Sequence, residues 1–87
     1  MTRSTAERLM VLRHRVDWRA VLEDLRAAGV SGYRLAEIML ISRSTVQGWE
    51  GGSEPSHSYG AAILEVHARF CGVDATKRRI TEAVLTA

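Results

Sequence analysis

The chain has 87 residues, a net charge of +2, one cysteine and one proline. At that length a single domain is expected, burying ~60–65% of the surface its unfolded form exposes and leaving little room for a substrate pocket enclosed between two layers. With 46% hydrophobic and 25% charged residues the composition is globular rather than disordered; the lone Cys71 excludes an internal disulfide; and with no long apolar run and no signal-peptide core, a protein of a reducing cytoplasm, without a membrane span, is predicted.

Taken in order, the pattern is helical on both sides of one loop, and no stretch shows sustained strand alternation. Ser4 or Thr5 can cap a first helix with Leu9, Leu12 and Val16 on one side. Asp17 can cap a second, in which Trp18, Val21, Leu22 and Leu25 recur at helical spacing before Gly29 stops it. Ser31 caps a short helix with Leu35, Ile38 and Met39 inward, and Ser42 caps another with Val46 and Trp49 inward, ending at Gly51. The run Gly51-Gly52-Ser53-Glu54-Pro55-Ser56 is a loop by every turn criterion. Beyond it Tyr59, Ala62, Ile63, Val66 and Phe70 stripe a longer helix closed by Gly72, and Asp74 caps a last one with Ile80, Ala83, Val84 and Ala87 on one face. The expected fold class is all-α, with five or six helices.

The charge is unevenly placed. Residues 1–16 carry Arg3, Arg8, Arg13 and Arg15 against Glu7; residues 17–60 hold more acids than bases; Lys77-Arg78-Arg79 is the only basic run near the other end. Basic ends around a slightly acidic middle fit a polyanionic partner. Eleven of the twelve basic residues are Arg, whose guanidinium suits phosphate and guanine better than ammonium does.

The informative segment is Ser31–Gly52, SGYRLAEIMLISRSTVQGWEGG. Two short helices stand about three residues apart, and Ala36 supplies a small side chain where they cross. The face of the second helix that the core does not claim carries Arg43, Ser44, Thr45, Gln47 and Gly48, and Glu50 comes only at its end. Arg can bond guanine O6 and N7 bidentately, Ser, Thr and Gln can reach base edges or phosphate, and the helix N-terminal amides favour phosphate. Two short helices with the second as reader form a helix-turn-helix arrangement.

From Gly29-Val30-Ser31 through Leu35-Ala36-Glu37, Ile41-Ser42-Arg43-Ser44-Thr45-Val46 and Trp49-Glu50-x-Gly52, with Pro55-Ser56 beyond, the chain resembles the repressor/Cro-type, lambda-repressor-like helix-turn-helix family. The resemblance implies a five- to six-helix, lambda-repressor-like fold with the DNA-binding domain at residues 17–72; residues 1–16 read as a basic N-terminal helix or arm, and the C-terminal helix at 73–87 either covers the core or is a dimerisation element through Ile80, Ala83, Val84 and Ala87. It implies base reading by Arg43, Ser44, Gln47 and Gly48, and phosphate contacts from Ser42, Thr45 and the loop at Gly51 and Ser53. Gly32 stands where the family has a Gln that anchors a phosphate, leaving Tyr33 or Arg34 to supply that anchor. Leu40 stands where the family has Gly at the turn, and Gly48 leaves one reading position without a side chain.

The function expected is that of a sequence-specific transcriptional regulator, a repressor of phage, prophage or small autoregulated-operon type, binding a palindromic operator on double-stranded DNA as a homodimer. Two alternatives stay open: an antitoxin that represses its own operon and binds a toxin, and a module that keeps the fold for binding a partner protein without touching DNA. Trp49 reads as a core anchor rather than a base-stacking residue, and Lys77-Arg78-Arg79 as a solvated face. His67 and Cys71 share a helical face, but two ligands do not make a zinc site. His57 and Ser58 have no acid placed to complete a triad. No enzyme activity, metal or cofactor is expected.

Overall fold

The computed structural model describes residues 12–84. In chain order they form strand β1 (Leu12–Val16), helices α1 (Trp18–Ala27), α2 (Gly32–Met39), α3 (Arg43–Glu50), α4 (His57–Cys71) and α5 (Val73–Arg78), and strand β2 (Ile80–Val84). The four longer helices begin on capping side chains, each oxygen accepting from the amide three residues on: Asp17 from Ala20 at 3.1 Å, Ser31 from Arg34 at 3.2 Å, Ser42 from Thr45 at 3.3 Å and Ser56 from Tyr59 at 3.3 Å. Gly29 and Gly72, at φ +94° and +98°, supply the positive φ at which the chain leaves α1 and α4.

The core gathers Val21 and Leu25 from α1, Val30 from the connection after it, Leu35 and Ala36 from α2, Val46 and Trp49 from α3, and Ile63 from α4, with Trp18, Leu22, Ile38, Met39 and Val66 packed around it. A fully buried aliphatic of this size contributes roughly 1.5–3 kcal/mol. The α4 stripe is rotated from its expected phase. Ile63 and His67 are fully buried, and Gly60 lies against the Trp18 ring, whereas Tyr59 and Phe70 stay more than 40% exposed. Periodicity favoured the larger apolar residues, but the narrow side on which α4 meets α1 admits Gly60 and a hydrogen-bonded imidazole.

Both expected flanking helices are corrected. Leu12–Val16 is a strand, antiparallel to Ile80–Val84 in the register Leu12↔Val84 to Val16↔Ile80. The short helix before β2 ends at Arg78, its N-cap is Gly72, and Asp74 lies in its first turn rather than capping it. Ile80, Ala83 and Val84 therefore lie along a strand and cannot form the helical stripe expected of them. Ser4, Thr5, Leu9 and Ala87 lie outside the described residues. Apolar residues at positions 12 and 16 fit a helical period and strand alternation equally, and a five-residue strand exists only through its partner 64 residues or more away in sequence. No helix among the described residues is long and apolar enough to cross a membrane.

A polar hub ties the chain's later part to α1. Arg79 donates through Nε and Nη2 to both Asp24 carboxylate oxygens, at 2.7 and 2.9 Å. His67 Nε2 lies 2.9 Å from Asp24 Oδ2, and its Nδ1 lies 2.6 Å from the Thr76 hydroxyl, which also reaches the Gly72 carbonyl at 3.2 Å. Bonding to Arg79 and then to His67 holds the Asp24 carboxyl at about 2, below its ordinary 3.8.

Two outcomes follow from these contacts. The unfolded chain binds the Asp24 proton more readily, so the hub's contribution is complete above about pH 5 and lost as pH falls toward 2. Asp24→Asn should flatten that acid limb and destabilise by about 1–3 kcal/mol at pH 7, measured by urea unfolding across pH. Leu40 ends α2 in the left-handed region, φ 58° and ψ 45°, with its side chain 90% exposed. Leu40→Gly removes a strain of about 1–2 kcal/mol and adds a glycine entropy cost of about 0.5–1 kcal/mol. The urea midpoint should rise, with an unchanged slope.

Candidate nucleic-acid interface

Helix α3 has eight residues, too few to be stable alone, so its orientation is set by what it buries. Val46 and Trp49 face inward, and the Trp49 ring meets Tyr59 of α4 edge-on at 5.7 Å between centroids. Arg26 of α1 donates to the Glu50 carboxylate at 3.0 Å, tying the far end of α3 to α1. The opposite face is left with Arg43, Ser44, Thr45, Gln47 and Gly48, of which Ser44 and Gln47 are exposed.

The N-terminal turn of this face is ordered by its own side chains. The Ser42 hydroxyl lies 2.8 Å from the Thr45 hydroxyl and 3.1 Å from that of Ser44. The Arg43 guanidinium lies over the Tyr33 ring of α2, its Cζ 3.3 Å from the ring centroid. These contacts refine the expected phosphate set. Thr45 is half-buried and its hydroxyl is engaged with Ser42, while the Tyr33 ring is engaged with Arg43. Arg34, exposed, lies 3.4 Å from Glu37 one turn along, a weak surface pair that leaves it free to turn elsewhere. Gly51 and Ser53 are exposed in the loop after α3, which folds back so that the Ser53 amide donates to the Gly48 carbonyl at 2.9 Å.

The two glycines that stood out in sequence have different causes. A Cβ on Gly32 would meet the Glu50 Oε2 at 2.7 Å, so a side chain there requires Glu50 to swing aside. Around Gly48 the nearest atom to such a Cβ would be Ser53 Oγ at 3.9 Å, so packing does not demand glycine.

Other expected site residues lie elsewhere. Ile80, Ala83 and Val84 are on β2, away from α3 in sequence and element. In the basic run, Lys77 and Arg78 are exposed, but Arg79 departs from the solvated face expected of it and closes on Asp24. Both His67 nitrogens are taken by Asp24 and Thr76, and burial pushes the Cys71 thiol above its ordinary range. The Arg43–Tyr33 stack and the Asp24–His67–Thr76–Arg79 hub were not legible in the sequence, since each joins residues on different elements. The chain matches no family model, no curated protein and no solved structure.

The geometry makes Ser42 the residue that starts α3. Ser42→Ala should destabilise by about 1 kcal/mol, whereas Ser42→Asp, which keeps a capping oxygen, should recover most of that loss in urea unfolding.

Proposed function

We propose that the chain is a sequence-specific binder of double-stranded DNA, a transcriptional repressor that acts as a homodimer on an inverted-repeat operator, in the manner of phage, prophage or small autoregulated-operon regulators. The observation that carries this reading is the outer face of α3: Arg43, Ser44 and Gln47 stand together with no acid among them, while the nearby Glu50 and Glu37 are paired with Arg26 and Arg34. In this reading α3 lies in the major groove, with Arg43, Ser44 and Gln47 at base edges and the backbone at Gly48 close to the DNA. Phosphates flank the N-terminal amides of α3, Arg34 and the Gly51–Ser53 loop. The resemblance of Ser31–Gly52 to repressor/Cro-type helix-turn-helix proteins supports the same assignment.

One α3 presents a single Arg and a few small polar groups, too few base contacts for operator affinity in one half-site. Two copies related by a two-fold axis, with half-sites about 34 Å apart, double them without new chemistry.

The test is selection from a random duplex library followed by binding across a salt series. Arg43→Ala should lose most of its preference for the enriched sequence over random duplex, while its background binding still falls steeply with salt. Undiminished discrimination by the variant removes α3 as the reader. A parent protein with no salt-dependent binding at all favours the protein-interaction module instead.

A further inference from the structure

Arginine can meet a planar partner through two forks of donors, the end-on pair Nη1 and Nη2 or the side-on pair Nε and Nη2. In this chain the side-on fork of Arg43 is closed. Its Nε is shielded from solvent and has no hydrogen-bond partner, and the guanidinium lies against the Tyr33 ring at 3.3 Å. A buried donor without a partner is unfavourable by roughly 1–3 kcal/mol, and such a group calls for an explanation. Folding does not supply one. The Tyr33 ring is 66% exposed, so holding it over Arg43 buries little apolar surface. Nor is a salt bridge the reason: Glu50 is engaged by Arg26 and Glu37 by Arg34, and among the described residues no carboxylate is paired with Arg43.

The stack joins the second residue of α2 to the first residue of α3, across the connection between the two helices. The long Arg43 side chain, otherwise free to sample many rotamers, is thereby held in one plane before any ligand arrives. That removes part of the ordering cost of binding.

We propose that Tyr33 is a positioning residue that makes Arg43 a reader of guanine: by stacking on a guanidinium whose Nε is shielded, it holds the end-on Nη pair as a fork matched to the O6 and N7 acceptors of one base. This rests on the DNA-binding reading above. Tyr33 itself specifies no base. It acts through Arg43, whose planar guanidinium can stack on the ring as a lysine ammonium cannot.

Duplex selection is run on the parent, Tyr33→Phe, Tyr33→Leu and Arg43→Lys, with thermal unfolding of each. The parent and Tyr33→Phe should enrich a sequence with a guanine at one fixed position per half-site. Tyr33→Leu should lower the preference for that guanine about tenfold while other positions, the salt dependence and the unfolding temperature hold; Arg43→Lys, which keeps the charge but loses the stacked planar fork, should lower that preference as well. A guanine preference unchanged in Tyr33→Leu overturns the proposal, as does a loss of affinity in Arg43→Lys that is uniform over all sequences, which would make Arg43 a phosphate contact. In the DNA-free protein, the Arg43 Nε–H should exchange slowly by NMR in the parent and in Tyr33→Phe, and rapidly in Tyr33→Leu. Fast exchange in the parent overturns the positioning role while leaving the DNA-binding reading standing. Failure of the parent to enrich any sequence, with the slow Nε–H intact, overturns that reading and the guanine assignment with it.

Discussion

An eight-residue helix with a polar outer face cannot hold itself together, and the burial of Val46 and Trp49 is what α3 rests on. Those two side chains sit against a core built from α1, α2 and α4, so the direction of α3 is fixed by packing rather than by helix propensity. The consequence reaches the outer face directly. Because Val46 and Trp49 must point inward, Arg43, Ser44 and Gln47 must point outward, and the only acid at that helix end is drawn aside by Arg26. The same packing that makes α3 stable leaves its other side available for recognition.

The Asp24 hub does for the later part of the chain what the apolar core does for α3. One carboxylate accepts from Arg79 and lies within bonding distance of His67, binding α1, α4 and the end of α5 into one unit, and the Asp17 amide adds a bond to the Arg79 carbonyl at 3.0 Å beside the ribbon. A cluster of this kind is costly if left incomplete and specific when every partner is present. It draws Arg79 of the later basic run against α1, where charge alone suggested a solvated face.

Capping explains why so much of the middle was legible. Asp17, Ser31, Ser42 and Ser56 act on amides three residues away, and Gly29, Gly51 and Gly72 mark stops by local backbone geometry, so boundaries from α1 to α4 follow from short-range chemistry. The strain at Leu40 was readable for the same reason: a non-glycine at that turn position is strained wherever the backbone is left-handed. The ends were not readable. At Leu12–Val16 and Ile80–Val84 the residues fit either period, and no local cue favours the strand.

The capped helices, their inward apolar residues and the polar composition of the α3 face are legible along the chain, because each depends on residues a few positions apart. Folding in three dimensions sets which side of α4 is buried, pairs the two flanks as strands, draws Arg79 from the solvated surface to Asp24, and lays Tyr33 under Arg43. Those contacts join residues 10 to 72 positions apart, and neither periodicity nor composition carries distance in space. The identity of the α3 residues was written in the chain; the plane in which Arg43 is held was not.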